Sequence, residues 1–299
     1  WPEMKAAGYK HSFALGSIAG SACLGMLIPP SVLLIVWGII TEDSIGKLFV
    51  AGVLPGIVLA AFFAAYNMIT AKMNPSIAPE PDTLGDITPL TKGQVYSGAA
   101  IIGLIMLVLG GIWGGFFTAT EAAGVGALAG MFIAIAKGLR FKELVECIID
   151  AGKTSAPIMI LLITAGMYSR FLSLADIDSL IIGAMTSAGL DGAMGLIVMV
   201  IIWLLLGMLL DSISIILLTV PLFMTLSSGM DPYAFAIFGI LAIEAGLLTP
   251  PFGLIVYTVK GVLSGTGHDV PLNQIFSGSI PYWIMMLIVM ILVVIFPGL

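Results

Sequence analysis

The sequence predicts an all-α polytopic membrane protein with an internal repeat, broken helices and a re-entrant hairpin. Three observations predict it. First, 60% of the 299 residues are hydrophobic and only 9% are Asp, Glu, Lys or Arg, against roughly 25% charged residues in soluble domains. So few charges cannot cover a water-facing surface. Second, apolar runs recur at 13–40, 49–71, 94–117, 154–172, 194–210 and 282–297, several exceeding the ~20 residues a helix needs to cross a bilayer. None alternates in the short, turn-bounded pattern of an outer-membrane barrel. Third, a motif with paired prolines occurs twice: Gly25-Met-Leu-Ile-Pro29-Pro30 reappears at the same internal spacing as Gly246-Leu-Leu-Thr-Pro250-Pro251. A second echo, Gly52-Val-Leu-Pro55 and Gly278-Ser-Ile-Pro281, follows in the same order, so the chain reads as duplicated.

Residues 1–71 read as the second part of a first repeat, a broken helix over 13–40 and a following span. As one helix, 13–40 would rise ~42 Å, beyond a hydrocarbon core of ~30 Å. Pro29 and Pro30 supply no backbone N–H, and the residue before a proline avoids the helical region. The helix is therefore expected to break near 21–31, where Gly20, Ser21, Ala22, Cys23 and Gly25 are small. Residues 72–93 hold four prolines and little apolar content, the composition of a linker outside the membrane.

Residues 94–190 read as scaffold and connecting helices. Thr120 is the expected cap of a helix with Glu121 in its first turn, where a carboxylate suits the dipole. Within 137–153, Phe141, Leu144, Val145 and Ile148 fall at helical spacing between charges, predicting an amphipathic helix at the interface. Lys137, Arg140, Lys142 and Lys153 mark that segment as the cytoplasmic side.

Residues 191–299 read as the second repeat: a hairpin over 194–227, a broken helix over 233–263 and a final span over 278–297. Each hairpin arm is too short to span, and Asp211 and Ser212 fall at the tip. A carboxylate there must sit in protein or water rather than lipid; the competing reading is a connecting loop with a solvated Asp211. Glu244 is placed facing the interior. Cys23 and Cys147 have no metal-ligand spacing and predict no disulfide.

Broken helices point to transport. Backbone groups freed at membrane depth cost several kcal/mol each unless satisfied, and discontinuous helices in secondary transporters satisfy them with ions or substrate. The competing reading is that the prolines merely kink helices for packing. A pore lined by broken helices is a further alternative. An intramembrane enzyme is disfavoured: Asp211 is a lone buried-aspartate candidate where a diaspartyl protease needs two, and His11 and His268 form no His-Glu-x-x-His motif.

The ordered set Pro2-Glu3-Met4-Lys5, Gly25 to Ser31, Gly46-Lys47-Leu48-Phe49, Thr118-Ala-Thr-Glu121-Ala122-Ala123, Gly207 with Asp211 and Pro221, Gly229-Met-Asp231-Pro232 and Leu248-Thr-Pro-Pro-Phe-Gly253 resembles the large membrane subunit of the tripartite ATP-independent periplasmic (TRAP) transporters over nearly the whole chain. The resemblance implies an inverted repeat of the ion-transporter type in the bacterial inner membrane. It implies a sodium-coupled, elevator-type importer of organic anions such as carboxylates, working with a small membrane subunit and a periplasmic substrate-binding protein. No nucleic acid partner, no transition metal and no cofactor beyond the coupling sodium ions are expected. By position, one sodium site would use Ser21 and the stretch Gly25, Ile28, Pro29 and Ser31. The other would use Gly207, Asp211 and Ser212 with Gly246, Thr249 and Pro250. Substrate would meet Pro30, Ser31, Ser214, Pro251 and Gly253. Members of the family carry a further N-terminal region with a first hairpin, so additional residues are expected upstream of Trp1. A self-sufficient sodium:dicarboxylate symporter is the alternative within transport.

Overall fold

The computed structural model describes residues 1–78, 91–190, 192–227, 229–265 and 270–298. Its helices in chain order are α1 (Pro2–Ala6), α2 (His11–Ala22), α3 (Leu24–Leu27), α4 (Val32–Thr41), α5 (Ile45–Met73), α6 (Lys92–Trp113), α7 (Ala119–Ala136), α8 (Phe141–Leu174), α9 (Ile177–Ser187), α10 (Gly192–Gly207), α11 (Ser212–Leu226), α12 (Pro232–Leu248), α13 (Leu254–Gly265) and α14 (Leu272–Ile295). Five of them are long and apolar enough to cross a membrane, or six if the pair bent by 40° at 28–31 counts as one span. The chain is thus a multi-pass, all-helical membrane protein. The middle of the 72–93 linker, 79–90, lies outside the described residues; its ends, Lys72–Met73 and Lys92–Gly93, already belong to α5 and α6.

Both predicted breaks are present. After α3 the backbone turns extended at Ile28 (ψ 126°), as a residue before proline must, and Ser31 restarts the helix as the N-cap of α4. After α12 it turns extended at Thr249 (ψ 135°), and α13 begins at Leu254. Both Pro-Pro peptide bonds are cis. The second echo is not carried into equivalent packing. Gly52 lets α5 close on the first break, since a Cβ there would come within 2.9 Å of Leu27 O. Gly278 instead abuts Ser12 and Gly16 of α2.

Three expectations are corrected. The segment 137–153 is not a separate amphipathic helix: from Phe141 it is the start of the 34-residue α8, which runs on through the apolar 154–172 because Pro157 does not interrupt it. The cap of α7 is Thr118 rather than Thr120. Thr118 Oγ accepts from Glu121 N at 3.3 Å while Glu121 Oε2 accepts from Thr118 N at 2.8 Å, a reciprocal box that needs the three-residue spacing. The last span begins at Leu272 rather than 278 and contains Pro281 inside the helix.

The core is organised around α12. Every residue from Ala234 to Leu248 is buried, and α10, α14 and α5 pack around it. A helix apolar on all faces is one buried within protein. Its start is fixed by Asp231, whose Oδ1 accepts from Tyr233 N and Ala234 N, both at 3.0 Å, with Pro232 in the first turn. Trp203 of α10 stacks edge-on against Phe223 and Phe238 at 5.1 and 5.8 Å. Its Nε1 donates to Thr219 Oγ1 of α11 at 2.8 Å, which locks the two hairpin arms to the same aromatic layer. In contrast, α6, α7 and α8 expose most of their apolar surface within this chain.

Candidate ion and substrate site at the second helix break

The arms α10 and α11 have 16 and 15 residues, rising ~24 Å each, short of a ~30 Å core. The turn at 208–211 reverses the chain, giving the predicted hairpin. Asp211 sits at the tip and caps α11: its Oδ1 accepts from Ser214 N at 3.0 Å and its Oδ2 from Ser214 Oγ at 2.6 Å. The carboxylate is otherwise exposed. Ser212, the first residue of α11, is buried and donates its hydroxyl proton to Glu244 Oε1 of α12 at 2.6 Å.

The hairpin seats on α12 through glycine on both sides. A Cβ on Gly207 would lie 2.8 Å from Gly246 Cα and from Ile243 O, and one on Gly246 would lie 2.9 Å from Gly207 Cα and Leu204 O. Backbone meets backbone there, an approach open to glycine alone. Four predicted site residues, Gly207, Asp211, Ser212 and Gly246, are thereby brought to one place, the end of α10 and the start of α11 against the last turn of α12.

That last turn has spare acceptors by covalent structure. Pro250 and Pro251 have no N–H, so the carbonyls of Gly246 and Leu247 have no i+4 donor. Gly246 O is reached instead by Thr249 N at 3.0 Å. The Thr249 hydroxyl donates back to Ala245 O at 2.7 Å, leaving its own lone pairs free. Pro250 and Pro251 are exposed, and Gly253, at φ 49°, is buried under Phe276. Carboxylate, hydroxyl and carbonyl oxygens are the donor set for a hard cation. Among the described residues no group of three or more His, Cys, Asp or Glu is placed to hold a metal ion.

The residues assigned to the first site are less closely assembled. Ser21 and Gly25 are exposed, and Gly25 has open space about its Cα. Ile28 packs on Gly56, and Pro29 lies near Gly52. Ser31 is 1% exposed; its Oγ donates to Met26 O and accepts from Leu34 N, so the side chain is used within the break. Pro30 is exposed at the start of α4. Ser214 lines a crevice of about 340 Å³ between α8 and α11 with Thr164, Ala165, Tyr168 and Leu217.

Two residues at this centre carried little signal in the sequence. Glu244 is the lone charge inside an apolar run, which was the available clue. Cys23 comes close enough to interact with its carboxylate, a proximity no spacing reveals.

The sequence model of the family described as tripartite ATP-independent periplasmic transporter, DctM component, matches residues 1–299. Among similar proteins, the C4-dicarboxylate TRAP transporter large permease protein DctM of Pseudomonas aeruginosa is 31% identical over 97% of this chain and 67% of its own length. The ectoine TRAP transporter large permease protein TeaC of Halomonas elongata is 30% identical over 99% of this chain and 68% of its own. The sialic acid TRAP transporter large permease protein SiaM of Vibrio cholerae is 28% identical over 99% and 68%. With a family match over its full length and these three relatives named as large permease proteins, the chain belongs to the DctM component family of the TRAP transporters.

Proposed function

We propose that this chain is permease machinery of a sodium-coupled importer of small organic anions in the bacterial inner membrane, served by a periplasmic substrate-binding protein and a small membrane subunit. The observation that carries the reading is the seating of the hairpin tip on the broken helix through Gly207 and Gly246. It brings the Ser212 hydroxyl onto Glu244, in the helix that ends at Thr249 and the freed carbonyls, with Asp211 beside it at the tip. In this reading sodium binds among those oxygens, holds the tip against α12, and so completes the neighbouring anion site. The anion is received at the N-terminal ends of α4 and α13, beside Pro30, Ser31, Pro251 and Gly253, where helix dipoles favour negative charge, with Ser214 opposite α8. Transport is an elevator displacement of the hairpin and broken helices past α6 to α8. The relatives named for C4-dicarboxylate, ectoine and sialic acid all handle carboxylate-bearing solutes, which fits a site of helix ends and hydroxyls.

The test is thermal unfolding of the complete complex in sodium and in potassium at matched ionic strength. Preferential binding to the folded state should raise the Tm in sodium, and Thr249→Val should shrink that rise while the protein stays assembled. Equal stabilisation by the two cations would return the Pro250-Pro251 break to a packing role.

A further inference from the structure

Glu244 stands inside the helix on which the hairpin seats, in a run with no other charge from Tyr233 to Leu248. It is 1% exposed. Its Oε1 takes the Ser212 proton at 2.6 Å, and its Oε2 is buried without a hydrogen-bond partner. The Cys23 thiol of the first broken helix lies within interaction range of the same carboxyl group. One side chain thus stands on the second broken helix, touches the hairpin tip and faces the first broken helix. Leu or Met would fill that space without the desolvation that a buried carboxyl group incurs, so packing alone does not account for it.

We propose that Glu244 is a positioning residue for the ion site at the hairpin tip, acting through the Ser212 hydroxyl. The inference rests on the sodium reading above. A serine hydroxyl has one proton and two lone pairs. With the proton committed to Glu244 Oε1, Ser212 Oγ can act only as an acceptor toward anything else, which is the state a cation requires of it. Without the carboxyl group the hydroxyl is free to turn its proton toward the site. Outer partners orient metal-bound ligands in the same way.

The experiment measures the sodium half-saturation of thermal stabilisation in the complete complex, with unfolding in potassium as the control for folding. Ser212→Ala and Glu244→Met should each raise the half-saturation by about 10-fold or more. The double variant should be no worse than the more affected single one. Glu244→Gln keeps an oxygen that can accept the same proton, and should recover most of the affinity lost in Glu244→Met. Additive effects, an unchanged half-saturation in Glu244→Met, or a Gln variant no better than Met would each overturn the proposal. Should Glu244→Met not assemble, Glu244→Ala takes its place: a rise is expected with Ser212 present and none in the Ser212→Ala background, and an equal rise in both refutes the link. Absence of any sodium preference in the unmutated complex is a different failure, since it removes the ion site itself and this inference with it.

Discussion

The two helix breaks share a Gly-x-x-x-Pro-Pro sequence and cis Pro-Pro bonds, yet they are held by different neighbours. At the first, α5 closes on Leu27 and Pro29 through Gly52, and Ser31 ties the two half-helices together with its own hydroxyl. At the second, a hairpin seats backbone to backbone on Gly246, and the bridging polar contact comes from another element, Ser212 to Glu244. The first break is tied across by its own Ser31 hydroxyl; the second is tied to a separate element, the hairpin. A Pro-Pro motif therefore creates the opening in a helix, and the neighbour decides which contacts close it.

The two breaks differ most at the paired glycines Gly25 and Gly246. Gly246→Ala pushes a Cβ to 2.9 Å from backbone atoms that cannot yield, and should cost about 3 kcal/mol, at the upper end of overpacking. Gly25→Ala meets open space and should cost nothing measurable, since alanine is the better helix former. Thermal unfolding of the two variants side by side decides it, and equal losses would erase the distinction between the breaks. A middle-sized effect is expected for Ser31→Ala, which removes the cap of α4 and should lower stability by about 1 kcal/mol with the sodium response intact. A loss of sodium response in that variant would make the first break an ion site in its own right.

A smaller stability effect than that of Ser31→Ala is expected for Asp211→Asn. Asparagine caps a helix as well as aspartate does, so unfolding in potassium should shift by less than about 0.5 kcal/mol, while sodium half-saturation rises through loss of the charge. If the half-saturation stays put, Asp211 is a cap and nothing more.

How much of this could be read from residues depended on range. Pro29-Pro30 and Pro250-Pro251 announced both breaks because proline acts on its own backbone, and Gly207-to-Ser214 announced the hairpin because its arms are too short to span. The positions that depend on contact between distant segments were dim. Nothing local distinguishes Gly246 under a hairpin from Gly25 in open space, and Cys23 and Glu244 lie far apart in the chain. The α8 boundary failed for a related reason. Charged 141–153 and apolar 154–172 differ in composition but share one uninterrupted backbone, so composition marks no boundary there. The Thr120 cap failed on register alone, two residues from Thr118.

The burial of α12 on every face has a consequence for how the sequence can drift. A helix with an uncontacted side can exchange Leu for Ile or Val there at little expense, and α6 and α8 have wide faces that the described residues leave uncovered. From Ala234 to Leu248 no such face exists. A saturation scan should therefore show α12 as a continuous block of intolerance without helical period, while α6 and α8 show a tolerance that rises and falls every three to four residues. Change in α12 would have to be accompanied by change in the hairpin or in α14, so specificity is expected to diversify at its ends, in the residues after Thr249, before it reaches the helix itself.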